Sequence, residues 1–247
     1  MAARYLGPVS PVDPFLAAAS LEGVPSAFAA ARDGIDAVLR DRGLRRSTPD
    51  HTARSLLLGA AATSRLEGGE PDVDVLTSGG GDATGRAAVR LSTELLGLTE
   101  IWKRSPVQAI ARLHALAAAG SVADEDLGRP ASSDGVARLT ELARSLAVPT
   151  QAPALVVAAL VHAEIADASA FLSHNGVVAR AAERLVLVTR GVDPASVTVP
   201  EAGHAADEIA YRAGLEGYSR GDTTGVHQWL LYAPTAFTKA AEASPLT

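Results

Sequence analysis

Residues 153–190 constrain this chain more than any other stretch. An apolar helix opened by Pro153 runs through Val161-His162-Ala163-Glu164-Ile165 into a short polar turn, Ser169-Ala170-Phe171-Leu172-Ser173-His174. A second apolar helix opens at Asn175 or Gly176 and carries Arg180 near its start. Two apolar helices joined by so short a turn must run antiparallel or cross steeply. The junction also makes an anion cradle, because a helix N-terminus exposes unpaired N–H groups and an arginine one turn in can close over a phosphate.

The rest of the chain supports a helical body. Apolar residues make up 47% of the 247, chiefly Ala, Leu and Val, while aromatics are only 4%. Such a core favours close helix–helix packing over a β-sandwich, whose strands want aromatic and β-branched residues. Start and stop signals place helices over 25–40, 49–67, 86–103, 105–119, 135–146, 201–216 and 224–243. Residues 1–23 read as an irregular arm and 68–84 as a Gly/Asp-rich connection, with Val73-Asp74-Val75-Leu76-Thr77 as an isolated extended stretch. The organisation expected is an N-terminal arm and first helix (1–48), a helical core (49–220) that includes the 49–67 helix, and a C-terminal helix packed on that core (221–247).

Several function classes fall away on composition. A net charge of −6 lacks the basic face that nucleic-acid binding needs. With no cysteine there is no disulfide, thiolate metal site or thiol nucleophile. No uncharged apolar run approaches ~18 residues, so no membrane span is expected. The opening residues lack a signal peptide's basic and apolar regions, and the cytoplasm is the expected compartment. The run Gly79-Gly80-Gly81-Asp82-Ala83-Thr84-Gly85-Arg86-Ala87 lacks the lysine and hydroxyl of a P-loop and reads as a connector. No dinucleotide fingerprint stands out, which argues against an oxidoreductase. His51, His114, His204 and His227 show no metal spacing, and His204 with Asp207 and Glu208 is weak support for one, so no metal ligands are assigned. His162, on an apolar helix, reads as a buried histidine with a satisfied hydrogen bond.

The turn resembles, position by position, the signature of the Fic (Fido-superfamily) nucleotidyl transferases, His-Pro-Phe-x-Asp/Glu-Gly-Asn-Gly-Arg-x-x-Arg. Phe171, Asn175, Gly176 and Arg180 match it, and His162 stands where the family carries a histidine seven positions ahead of the catalytic one. Ile110-Ala111-Arg112-Leu113-His114, with Leu127-Gly128-Arg129 downstream, is similar to the helix and loop before the family's target-docking flap. The resemblance implies an all-α, Fic-like helical bundle. The short run from Gly128 to Gly135 leaves little room for the flap hairpin, which is expected to be reduced or absent.

The departures decide what the resemblance implies for function. In the family the motif histidine is the general base that frees a target hydroxyl to attack the nucleotide α-phosphate; here that position is Ser169. Serine has no accessible pKa near neutrality, and loss of a base alone forfeits ~10²–10⁴-fold in rate. The acidic Mg²⁺ ligand is Ser173, the first glycine is His174 and the first arginine is Val177. The expectation is a degenerate, non-catalytic Fic-like protein with a regulatory or scaffold role. It would keep a phosphate or nucleotide site built from Asn175, Gly176 and Arg180. The alternative is a Fic-type enzyme that transfers AMP to protein hydroxyls with His174 as substitute base. No cofactor is fixed by the sequence; the resemblance admits ATP or another nucleotide with Mg²⁺. It leaves a protein partner and a homodimer open.

Thr63-Ser64-Arg65-Leu66-Glu67-Gly68 matches the family's inhibitory-helix pattern, Ser/Thr-x-x-x-Glu-Gly/Asn, whose glutamate pairs with the second motif arginine. Local physics supports a cationic partner for Glu67. A carboxylate in the last turn of a helix opposes the macrodipole by ~0.3–1 kcal/mol, which a cation would offset. Arg180 is the expected partner.

Overall fold

The computed structural model describes residues 13–40, 44–70 and 72–246. Among them the chain runs through α1 (Pro14–Ala19), α2 (Val24–Leu39), α3 (Leu44–Leu66), α4 (Val73–Thr77), α5 (Ala83–Leu95), α6 (Thr99–Arg104) and α7 (Pro106–Ala118). It continues through α8 (Ser133–Ala147), α9 (Ala154–Ala168), α10 (Asn175–Thr189), α11 (Pro200–Ala205), α12 (Glu208–Ser219) and α13 (Thr223–Glu242). No strand forms among the described residues, and none of the helices is long and apolar enough to cross a membrane. The all-α fold read from the sequence is the fold observed. The segment 119–132, where a flap hairpin would lie, holds an isolated bridge between Ala119 and Val122, a 3₁₀ turn at Asp124–Asp126 and loop, but no strand.

The apolar pair is the centre. α9 and α10 pack on each other more extensively than any other two helices. Nearly every residue of α9 is buried, as expected of a helix that is apolar on all sides. Around the pair, α5, α6 and α7 cover one side, while α2, α11, α12 and α13 form a second layer. α8 closes the gap between α7 and α9, and α3 lies against α5 and α11. Trp229 anchors the second layer by donating its indole N–H to the Ala159 carbonyl at 2.8 Å.

Local chemistry explains where the sequence reading and the structure part. The expected irregular arm lies outside the described residues up to 12, but from Asp13 it is helical. Asp13 caps α1 by accepting the Phe15 and Leu16 N–H groups, and Phe15 is fully buried. Val73–Thr77 is a helical turn rather than an extended stretch, because Asp72 caps it through the Asp74 and Val75 N–H groups. α3 begins at Leu44, ahead of Pro49, so that proline sits inside the helix rather than opening it. The helix expected over 86–103 is broken by a 3₁₀ turn at Leu96–Leu98, and that expected over 201–216 by Ala206–Asp207, where Asp207 caps α12.

Candidate functional site

The bend between α9 and α10 is reversed by two residues in the left-handed region, Ser169 (φ 40°) and His174 (φ 59°). Neither is glycine, so each carries a backbone cost of ~1–2 kcal/mol. Asn175 holds the bend closed: its Oδ1 accepts the Phe171 N–H at 3.0 Å and its Nδ2 donates to the Phe171 carbonyl at 2.8 Å. The Phe171 ring stacks on His114 of α7 at 4.1 Å between centroids, and the Gly128 N–H donates to His114 Nδ1 at 2.9 Å. The Ala131 N–H donates to the Ala170 carbonyl at 2.7 Å, which ties the loop before α8 to the same bend.

Glu67 occupies the opening of α10. Its Oε1 lies 2.5 Å from Arg180 Nη2, and a Cβ placed on Gly176 would come within 2.6 Å of that oxygen. Glycine is therefore what lets the carboxylate reach the first turn. There it meets the positive end of the helix, as an anion does. The other guanidinium nitrogens of Arg180 are also engaged. Nε faces Thr63 Oγ1 at 3.4 Å and Nη1 donates to the Tyr211 hydroxyl at 3.2 Å. Burial opposes the Arg180 charge, but Tyr211 and Glu67 outweigh it and hold its pKa above the usual guanidinium value.

Thr63 and Glu67 share a helix face because they are one turn apart, and the same face continues back along α3. Gly59 and Ser55 meet Arg184, the next arginine of α10. Arg184 donates twice to Glu201, from Nε to Oε1 at 2.9 Å and from Nη2 to Oε2 at 2.5 Å, and Nη1 reaches Ser55 Oγ at 3.0 Å. A Cβ on Gly59 would collide with the Glu201–Arg184 pair at 2.7 and 2.8 Å. Positions 55, 59, 63 and 67 thus ascend α3 while their partners 184, 180 and 176 descend α10.

From Arg180 a chain of polar groups enters the core. The Tyr211 hydroxyl is 2.9 Å from His162 Nε2, and His162 Nδ1 donates to Glu183 Oε2 at 3.1 Å. His204 Nε2 donates to the same oxygen at 2.9 Å, and the Tyr232 hydroxyl is 3.0 Å from His204 Nδ1. Burial pushes the His162 pKa down to about 4, so its imidazole is neutral near neutral pH. A second buried group joins α8, α9 and α12: Arg138 binds Glu164 at 2.9 Å and Asp167 at 2.8 Å, and the Tyr218 hydroxyl donates to Glu164 at 3.1 Å.

Ser169 and Ser173, at the positions of the family's base and metal ligand, carry no such chemistry. Ser169 Oγ bonds back to the Ala166 carbonyl at 3.1 Å, and Ser173 Oγ lies 2.7 Å from His174 Nδ1. The side-chain hydrogen bonds of the turn go to the Ala166 carbonyl, His174 and Asn175 rather than to a carboxylate, and Glu67 is committed to Arg180. The residues present do not fit Mg²⁺, which takes carboxylate and phosphate oxygens. His174 is held below the usual imidazole pKa by burial, against the pull of Glu67. Sequence reasoning missed Arg184, Glu201, Glu183 and Tyr211. The signal on offer was the charged pair Glu183-Arg184 within an otherwise apolar helix.

No family model matches the sequence, and no curated protein matches it significantly. Among solved structures, the chain is similar to a Fic family protein from Desulfovibrio desulfuricans G20. The TM-score is 0.74 at 18% sequence identity, covering 90% of this chain and 74% of that one. The likeness is one of fold, a Fic-type helical arrangement that extends over most of this chain.

Proposed function

We propose that this Fic-fold chain acts as a regulatory or scaffold protein rather than a transferase, with an anion site at the α10 opening that Glu67 keeps masked. The observation that carries the reading is the engagement of all three guanidinium nitrogens of Arg180, by Thr63, Tyr211 and Glu67. A phosphate reaching Gly176 and Arg180 must displace a carboxylate already there, not water alone. The turn favours this reading over catalysis, since the Ser169 hydroxyl bonds the Ala166 carbonyl and Ser173 bonds to His174.

The test is calorimetric titration of ATP, with and without Mg²⁺, into wild type and Glu67→Gly. The expected result is no heat in wild type and saturable binding in the variant that Arg180→Ala abolishes. Silence in both proteins overturns the masked site. A labelled-ATP transfer assay on whole lysate addresses chemistry: transfer by Glu67→Gly that is lost in Glu67→Gly/His174→Ala would replace this reading with an enzyme using His174 as base. That alternative has one favourable observation, a His174 imidazole held neutral beside the turn.

A further inference from the structure

His162, Glu183 and His204 lie behind the anion site, reached from Arg180 only through the Tyr211 hydroxyl. They come from α9, α10 and α11, and their relative exposures are 0%, 0% and 1%. One ligand atom from each lies within 4.8 Å of the others. We propose that these three residues bind one divalent transition-metal ion of the Zn²⁺ class, as a closed structural site.

Four observations support the assignment. Two imidazoles and a carboxylate are the ligand types that Zn²⁺ accepts at bond lengths of ~2.0–2.2 Å, whereas Mg²⁺ and Ca²⁺ favour all-oxygen sets. The packing of α9 and α11 against α10 brings the three side chains together without exposing them. Glu183 Oε1 is buried and has no hydrogen-bond partner, an uncommon state for a carboxylate oxygen. A metal held by both oxygens would satisfy it and complete four-coordination. Finally, the outer ring nitrogens are already supported, His162 Nε2 by the Tyr211 hydroxyl at 2.9 Å and His204 Nδ1 by the Tyr232 hydroxyl at 3.0 Å. Metal-binding histidines characteristically have their second nitrogen fixed in this way.

Charge points the same way. A buried carboxylate without a cation is expensive, and the hydrogen-bonded partners of Glu183 are two imidazoles. A dication between them reverses the sign of the local charge and needs no thiolate, which this chain lacks. On loading, the inner nitrogen of each ring faces the metal and the outer one turns toward its tyrosine oxygen. Ligands so deeply placed acquire their ion while the chain folds.

The test uses the full chain produced with Zn²⁺ in the medium, and the same chain refolded from denaturant with Zn²⁺, each desalted before elemental analysis. About one zinc per chain is expected, falling to background in His204→Gln and Glu183→Gln, with a higher Tm for protein refolded with Zn²⁺ than with a chelator. Refolding with Co²⁺ should give the visible absorption of a four-coordinate nitrogen and oxygen site. Wild type that refolds with Zn²⁺ yet carries no more than a trace of metal overturns the proposal. So does a folded His204→Gln that retains the wild-type zinc content. The wild-type measurement decides the matter even if both variants fail to fold.

Discussion

Glu67 Oε1 and Arg180 Nη2 stand 2.5 Å apart, joining the last turn of α3 to the first turns of α10. The guanidinium is 2% exposed while the carboxylate is 31% exposed, so the pair is asymmetric. Arg180 cannot be left alone without cost, whereas Glu67 can rotate toward water. Removing the carboxylate should cost ~1–2 kcal/mol, below the range for a fully buried pair because solvent reaches Glu67. Glu67→Ala should therefore melt below wild type, and millimolar pyrophosphate should raise its Tm while leaving wild type unchanged. An equal response of both proteins to pyrophosphate would contradict this.

The Arg184–Glu201 pair has no such outlet. Both partners are buried, and Arg184 also depends on Ser55, Ser196 and the Thr198 carbonyl. Glu201→Gln should lower the unfolding free energy by ~3–5 kcal/mol, since it leaves a buried cation uncompensated. Glu208→Gln, which breaks the exposed pair with Arg212, should change it by less than ~1 kcal/mol. Urea denaturation of the two variants side by side checks the contrast.

The two tyrosines that flank the buried histidines should differ in weight. Tyr211→Phe strips a partner from both Arg180 Nη1 and His162 Nε2, at ~1–3 kcal/mol for each group left unsatisfied. Tyr232→Phe affects only His204 Nδ1, from a partly exposed position. The larger loss of stability is expected for Tyr211→Phe, and the reverse order would show that the two ends of the chain are wrongly ranked.

Acid sensitivity should be traceable to His114. Burial first, and then the neighbouring His174, lower its pKa below the ordinary imidazole value. The unfolded chain therefore takes up a proton near pH ~6.5 that the folded chain refuses, and stability falls as pH drops from there through the depressed folded pKa. His114→Asn keeps an acceptor for the Gly128 N–H but cannot titrate. The difference in unfolding free energy between wild type and His114→Asn should move against wild type between pH 7 and pH 5, by urea denaturation at each pH.

At His174 the backbone and the side chain are in conflict. With φ at 59° the position suits glycine, the residue that the family motif carries there. His174→Gly should leave the fold as stable as wild type or more stable by about 1 kcal/mol, the strain relieved less the entropy of glycine. A marked loss in thermal unfolding would mean that the contact between His174 Nδ1 and Ser173 Oγ matters more than the strain.

Much of the helical order was legible because caps and apolar periodicity are local. Ser132, Asp82 and Asp222 each accept an N–H three residues on, at helix starts that residue types alone suggest. What misled were α1 and α4, where an aspartate cap turns a short run otherwise read as arm or strand into a helical turn. Of the site, the Glu67 and Arg180 positions could be read because each lies in a recognisable pattern. The Arg184–Glu201 pair and the His162–Glu183–His204 group could not, since their members come from different helices and share no spacing. Asn175, expected among the groups that hold phosphate, also uses its side-chain amide on the Phe171 backbone and so shapes the bend.

The polar face of α3 from Ser55 to Glu67 has one consequence for motion. Its inner end is clamped by a fully desolvated fork on Arg184, while its outer end rests on a carboxylate that water can reach. The contact that yields first is therefore the one at the Gly68 end. The carboxylate can swing aside with the helix beneath it still moored, so unmasking Arg180 need not unfold the protein.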